Sequence, residues 1–393
     1  MKIAFIGQKG IPVRIGGVER RVEEVSTRMA KIGHDVFVYV RNNYTEKHIG
    51  AYRGVKLIHL PTVHTKNLDA IVHTFLATIH AIFQRYDIVH YQAPGPSSLC
   101  WLMKMFAPRT AVVATFNCRD DQQKKWGFFA RLYLRFGEKI VCTMPDKTIV
   151  AGKTLHKYVF ETYGKNHTMI VNGASIRKTS KSNRLAQWGL ERGKYIFIVS
   201  RFIRHKGVHY VTESFENLQK TGKLPSGMKL MIIGEGMHTD DYVQFLRDRV
   251  QKNENIILEG PQGGETLAQL YTHAALFVQP SDMEGLSNAL LEAMGYGLPI
   301  LASDIAENKE AVSECSMLFR AGDVSDLTEK LYILLHNTAR AQKLGMRARQ
   351  HAQNEYSWDT NTDKTLEVYS TALEDKRSRQ GFFAKTHINE KIS

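Results

Sequence analysis

Short apolar runs recur along this chain at intervals that leave room for one helix between each pair, and the series occurs twice. The first consists of "KIAFIG" (2–7), "DVFVYV" (35–40), "VKLIHL" (55–60), "DIVHYQ" (87–92), "TAVVATF" (110–116), "KTIVAG" (147–152) and "MIVNG" (169–173). Helical patterns such as "VERRVEEVSTRMAKIG" (18–33) fill the gaps. Strands this apolar, alternating with helices, require a mainly parallel sheet covered on both faces. Residues 174–194 are polar and rich in Ser, Lys and Arg, and read as a linker. The series then restarts with "YIFIVS" (195–200), "KLMIIG" (229–234), "NIILEG" (255–260), "ALFVQP" (275–280) and "PILASD" (299–304). The pattern predicts an α/β protein of two doubly wound domains facing each other across a cleft. A chain of 393 residues is ample for two cores.

Charge divides the chain at the same place. Residues 1–178 hold 27 Lys and Arg against 12 Asp and Glu, a net +15; the remainder holds 26 against 27, a net −1. A basic half faces something anionic: nucleic acid, a phosphorylated substrate or a membrane surface. No nucleic-acid-binding module is recognisable, so a nucleic-acid partner is not expected. Cys100, Cys118, Cys142 and Cys315 form no CxxC, which suggests neither zinc nor a disulfide framework and fits a reduced, cytoplasmic setting. The first residues enter a strand directly, so no signal peptide is expected. The stretch "IVHTFLATIHAIF" (71–83) is too short to span a bilayer and predicts a buried amphipathic helix.

Ligands of open parallel sheets bind beyond the carboxyl ends of the strands, and the unusual residues lie there. "RFIRHKG" follows the strand at 195–200, offering the guanidinium fork of Arg201 and the point charge of Lys206, with Gly207 for a tight turn. Two surface cations near a turn would look the same. Gly234 and Gly236 end another strand, where a ligand approaching the backbone and a simple turn are both consistent. The stretch "EGLSNALLEAMGYGLPILASD" (284–304) reads as loop, helix, turn and strand. Its helix start, around Gly285, Leu286, Ser287 and Asn288, presents free N–H groups and a positive dipole end to phosphate. Glu292 follows Leu286 by six residues, roughly 9 Å at about 1.5 Å per residue, the scale of a pyrophosphate plus ribose. Glu292 sits in an apolar run, so it points either to solvent or to a ligand; Glu284 stands ahead of the helix. Gly16 and Gly17 precede a helix in the first half, another candidate anion site. Neither GxGxxG nor a Walker A sequence is present.

These features resemble the GT-B glycosyltransferases of family 4, a retaining family. The resemblance rests on the E-x7-E pair Glu284/Glu292, the R-x4-K pair Arg201/Lys206, the Gly16-Gly17 turn and "VNGAS" (171–175), and covers nearly the whole chain. The opening "GQKGIPVRIGGVERRVEEVSTRMAKIGHDV" is similar to the bacterial envelope-polysaccharide branch. The resemblance implies a GT-B fold with an interdomain cleft and a C-terminal crossover helix. Domains are expected at 1–180 on the acceptor side and 181–355 on the nucleotide-sugar side, with a crossover helix at 356–375 and a polar tail at 376–393. It further implies that Arg201 and Lys206 bind the diphosphate, that Glu284 contacts the donor sugar and Glu292 the ribose, and that no metal or cofactor takes part. On the acceptor side the expected residues are His90, Asn117, Arg119 and Asp120. Relatives often carry a histidine where Asn117 stands, and Asn is no base at neutral pH; His90 is either a cleft residue or a satisfied core histidine.

The leading expectation is therefore a retaining, cytoplasmic glycosyltransferase. It would move a sugar from a nucleotide-diphosphate sugar to a glycan or lipid-linked acceptor in envelope or exopolysaccharide synthesis. A sugar-nucleotide epimerase, a phosphorylase or a non-catalytic basic binding protein are the alternatives. "KKWGFFARLYLRFGEK" (124–139) adds a partner. In a helix, Phe129, Leu132, Tyr133 and Phe136 share a stripe flanked by Lys124, Lys125, Arg131, Arg135 and Lys139. That is either a core helix with a solvated basic edge or a helix resting on an anionic membrane surface.

Overall fold

A computed structural model describes residues 1–389 apart from 15, 64, 66–67, 120, 122–126, 175, 177–178, 237–239 and 313, and apart from the side chains at 240 and 379–389. The chain forms two compact units: unit 1 is Met1–Val171 with Trp358–Ser393, and unit 2 is Asn172–Ser357.

Unit 1 is built on β1 (Lys2–Ile6), β2 (Asp35–Arg41), β3 (Ala51–Tyr52), β4 (Val55–Leu60), β5 (Ile88–Gln92), β6 (Ala111–Phe116), β7 (Lys147–Val150) and β8 (Thr168–Met169). Their spatial order is β3-β4-β2-β1-β5-β6-β7-β8, parallel except for the β3–β4 pair. Alternate residues of β1 feed two cores, as a pleated strand must. Ile3 and Phe5 meet Val22, Val25 and Met29 of α1 (Gly17–Lys31), together with Tyr369 and Ala372 of the last helix (Trp358–Asn389). Ala4 and Ile6 face the opposite layer, made by α2 (Asp69–Ile82), α3 (Pro94–Ser97), α4 (Cys100–Phe106), α5 (Phe128–Thr143) and α6 (Lys153–Tyr163).

Unit 2 contains β9 (Tyr195–Val199), β10 (Lys229–Ile233), β11 (Ile256–Glu259), β12 (Leu276–Gln279), β13 (Ile300–Ser303) and β14 (Met317–Phe319), all parallel, in the order β11-β10-β9-β12-β13-β14. Its helices are α7 (Val208–Lys220), α8 (Asp240–Val250), α9 (Gly264–His273), α10 (Asn288–Tyr296), α11 (Ala306–Val312), α12 (Val324–His336) and α13 (Thr338–Glu355); the last helix is α14. The order reverses direction at β9, so the crevice between β9 and β12 is the topological switch point of this sheet. In unit 1 the reversal falls at β1 and β5.

Two sequence expectations change and two become specific. The stretch 174–194 is not merely linker: it belongs to unit 2 and carries a 3₁₀ turn, Leu185–Trp188, whose Leu185 is buried. The helix expected to end near 375 runs to Asn389. Helix α2 is amphipathic, with its small residues on the buried face: Thr74, Ala77, Thr78 and Ala81 pack inward, while Phe75, Ile79 and Phe83 just beyond its end are exposed. Of the two readings of the α5 stripe, the core one does not hold: Phe129, Leu132 and Phe136 are exposed and the helix packs through Gly137, Ile140 and Val141. Lys124 and Lys125 lie outside the described residues.

Candidate functional site

The switch point of unit 2 gathers the residues singled out after its strands. The chain leaves β9 through Ser200 and Arg201 into a 3₁₀ turn, Arg204–Lys206, and reverses at Gly207 with φ +66°. Only glycine fits there. Its backbone runs so close to the end of β12 that a Cβ would lie 2.0 Å from the Pro280 carbonyl oxygen. That approach brings Lys206 to the loop after β12, where its Nζ sits 2.5 Å from Glu284 Oε2. Both side chains are nearly buried, at 11% and 7% exposure.

The other oxygen of Glu284 is equally committed. Oε1 accepts from Gln279 Nε2 and from Ser281 Oγ, each at 2.7 Å. Gln279 Oε1 in turn accepts from Ser287 Oγ at 3.2 Å. Ser287 is the N-cap of α10: its hydroxyl accepts from the Leu290 N–H, one of the donors that a helix start leaves open. A continuous polar chain thus runs from Lys206 through Glu284 and Gln279 to the start of α10. The Asp282 N–H donates to the His205 carbonyl at 2.8 Å and Tyr210 Oη donates to Asp282 at 3.2 Å, which closes the two loops on each other.

Arg201 is half-buried, and its guanidinium enters no ion pair among the described residues. Asn288 opens α10 and accepts from Asn172 Nδ2 at 3.0 Å. Glu292, on the second turn of α10, is 8% exposed between fully buried Leu290, Leu291, Ala293 and Met294, so it does not point to solvent. Gly285, Leu286 and Gly236 are half-buried. Gly234 has a structural reason of its own, since a Cβ there would lie within bonding distance of the Ser200 carbonyl oxygen, 1.7 Å away. Glu307, at the start of α11, was not anticipated. Burial pushes its carboxyl above the ordinary value, and the charge of Glu284 adds to the effect. Gln279 and Ser281 were also missed. The available signal was a polar side chain at the carboxyl edge of an otherwise apolar strand, "ALFVQP".

The residues expected on the acceptor side belong to unit 1 and have different settings. His90 is a core histidine, 1% exposed: Nδ1 bonds Tyr369 Oη at 2.7 Å and Nε2 bonds Thr115 Oγ1 at 2.6 Å. Burial, helped by the charge of Arg21, holds its imidazole well below the ordinary value, so it stays neutral. Gly16 leaves room for its own helix: Glu19 Oε1 accepts from the Lys9 N–H at 3.0 Å, and a Cβ on Gly16 would meet Glu19 Oε2. Gly17 is the first residue of α1. Asn117 follows β6, and its Nδ2 is buried with no partner among the described residues. Arg119 lies 4.0 Å from the ring centre of Tyr158 and 3.8 Å from Asp121. Asp120 lies outside the described residues. Among the described residues no three His, Cys, Asp or Glu side chains gather as a metal site.

Two family models divide the chain between them: "Glycosyltransferase Family 4" matches residues 15–178 and "Glycosyl transferases group 1" matches residues 180–351. The glycogen synthase of Mycobacterium tuberculosis is 25% identical over 97% of both chains. The O-antigen chain mannosyltransferase C of Escherichia coli is 24% identical over 96% of this chain and the whole of that protein. Among solved structures, Anabaena Alr3699/HepE in complex with UDP-glucose superposes with a TM-score of 0.78 at 17% identity, covering 94% of this chain and all of that one. The two doubly wound sheets, the returning C-terminal helix and these matches define the chain as a GT-B glycosyltransferase. It is related to several glycosyltransferases of envelope polysaccharides, the O-antigen enzyme being one.

Proposed function

We propose that this enzyme is a retaining glycosyltransferase. It moves a sugar from a nucleotide-diphosphate sugar to a glycan or lipid-linked acceptor in envelope or exopolysaccharide synthesis, without a metal. The observation that carries the reading is the Lys206–Glu284 pair, joined through Gln279 to Ser287 at the start of α10, with Arg201 just beyond the carboxyl end of β9, at the switch point of unit 2. In this reading Arg201, Lys206 and the N–H groups near Gly285, Leu286, Ser287 and Asn288 hold the diphosphate. They stabilise the charge that grows on it as the glycosidic bond breaks; fixed donors of this kind are usually the largest catalytic term. Gly234 and Gly236 let the donor come close to the backbone. Glu284 meets the donor sugar, and Glu292 accepts from the ribose hydroxyls one turn further along α10. The departing phosphate assists attack from the same face, so no carboxylate base is required. Gly16 and Gly17 at the start of α1 are the donor-binding candidates of unit 1; on the acceptor side Asn117, Arg119 and Asp120 remain candidates, whereas His90 is too enclosed to touch substrate directly. As part of the same reading the enzyme is cytoplasmic, with the basic unit 1 against the inner face of a membrane. Among the described residues no helix is long and apolar enough to cross one.

Calorimetry with a panel of nucleoside diphosphates and their sugars tests the donor site. Glu292→Ala should weaken the preferred nucleotide by about 1–3 kcal/mol, the range for charge-assisted hydrogen bonds. Unchanged affinity in a folded variant removes Glu292 from the site. The anomeric configuration of the product, read by NMR, tests retention against inversion, and activity that EDTA abolishes and manganese restores overturns metal independence.

A further inference from the structure

We propose that the outward faces of α2, α4 and α5 form a single surface of unit 1 that inserts aromatic side chains into a bilayer containing anionic lipid. The proposal rests on the membrane-side placement put forward above and names the surface and the mode of contact.

The three helices cover one face of the unit 1 sheet and are neighbours: α2 packs on α4, and α3, which leads into α4, packs on α5. They pack inward through Ala77 and Ala81 of α2, Leu102 and Met103 of α4, and Ile140 and Val141 of α5, yet further large apolar side chains on each point the other way. Phe83, at the end of α2, is 76% exposed. Met105 and Phe106 close α4 at 57% and 60%. Phe128 and Phe129 open α5 at 77% and 83%, and Leu132 and Phe136 continue its outer stripe. A soluble monomer rarely leaves apolar surface of this extent in contact with water.

Charge selects the occupant. The carboxylates of these helices are withdrawn from the surface: Asp69 is held by Arg41 at 2.6 Å and by Thr62, and Glu138, 5% exposed, accepts from Tyr158 and Tyr163. The charges presented outward are cationic, with Arg131, Arg135 and Lys139 exposed along α5. A two-fold dimer through this face would set the cationic surface against itself. An anionic headgroup layer over acyl chains matches both features, since cations sit at the headgroups and phenyl rings reach the acyl boundary. Insertion also explains why the apolar residues cluster at helix ends, where a side chain can dip into the interface without burying a charged neighbour.

The test is sedimentation of the full chain with phosphatidylcholine vesicles containing graded phosphatidylglycerol, at low and high salt. The intact protein should bind in proportion to anionic lipid and keep part of that binding at high salt, because insertion is not screened. The pair Phe128→Ser/Phe129→Ser and, separately, Phe83→Ser/Phe106→Ser should each lower the affinity roughly tenfold or more. Both should leave the melting temperature in place. Arg131→Ala/Lys139→Ala should weaken binding at low salt only. The proposal is overturned if phosphatidylglycerol vesicles do not retain the intact protein, or if Phe83→Ser/Phe106→Ser binds normally. It is equally overturned if light scattering finds a dimer that the phenylalanine variants convert to monomer. No donor is present in the assay, so a failure here leaves the transfer reaction standing, and a failure of donor binding leaves the docking surface standing.

Discussion

Both units lay helices on the two faces of a parallel sheet, yet they dispose of polar and apolar surface in opposite ways. Among the described residues, fifteen large hydrophobic side chains are exposed in unit 1 and four in unit 2. The basic excess follows the same division: unit 1 holds 31 Lys and Arg against 18 Asp and Glu, a net +13, and unit 2 holds 22 against 21, a net +1. Unit 2 instead concentrates its unusual chemistry inward, at one strand crevice, where Lys206, Glu284, Gln279, Ser281 and Ser287 satisfy one another. Similar scaffolds can therefore be tuned to different tasks: one sheet organises a polar centre at its carboxyl edge, and the other makes the outer side of its helices a contact surface.

The largest expected effect lies in the polar centre. Lys206→Met leaves the Glu284 carboxylate nearly buried without its cation and should destabilise unit 2 by about 3–5 kcal/mol, besides abolishing transfer. Lys206→Met/Glu284→Gln should recover most of that stability but not activity. Urea unfolding of the wild type, both single variants and the double variant closes the cycle; a cost below about 1 kcal/mol for Lys206→Met would mean that the pair is a solvated one.

Acid should separate the units next. His73 is buried, and burial together with the charge of Arg41 lowers its imidazole to about 4, while His90 is held well below 6.5. Because both folded values lie below the unfolded one, the unfolded chain takes up these protons first. Their stabilisation of unit 1 is complete above about pH 6.5 and is lost as pH falls, by roughly 1.4 kcal/mol per pH unit for each histidine until it titrates in the folded state. Between pH 7.5 and 5.5 unit 1 should lose about 2–3 kcal/mol by this route. Unit 2 has His209, lowered to about 4 but only half-buried, and should lose less. Hydrogen exchange followed peptide by peptide at the two pH values measures this, and equal losses in both units would refute it.

Gly207→Ala comes third. A left-handed alanine facing the Pro280 carbonyl should cost about 1–3 kcal/mol, whereas alanine at Gly33, also left-handed but with nothing within 4 Å, should cost less. Thermal unfolding of the two variants compares them. The smallest effect belongs to the outer face of unit 1: Phe129→Ser should change stability by no more than about 0.5 kcal/mol. A large loss on urea unfolding would show that Phe129 is covered within the protein.

The strands at 2–7, 35–40, 55–60, 195–200 and 229–234 were readable in the sequence because parallel strands covered on both faces leave continuous apolar runs. Strands β3 and β14 were not, since two or three residues make no run. The helix start at Ser287 was legible through its N-cap residue and the turn before it. The coupling of Lys206 to Glu284 was not: they are far apart in sequence, and only the close approach at Gly207 joins them. The face that α2 turns to the sheet was not legible for a related reason. Apolar periodicity identifies a helix, but Ala77 and Ala81 fit against the sheet better than Phe75 or Ile79, and no periodicity carries that steric choice.

The core of unit 1 contains Trp358, Val368, Tyr369 and Ala372, although all of unit 2 is encoded between Val171 and Trp358. His90 and Arg21 are buried in that same unit, and His90 bonds Tyr369 directly. During synthesis the nascent sheet of unit 1 must wait for about 200 further residues before its missing side chains leave the ribosome, roughly 10–40 s at about 5–20 residues per second. Unit 2 is contiguous and can complete first. The half of the protein that is begun earlier is finished later, and for that interval one face of its sheet stands open to chaperones and to other nascent chains.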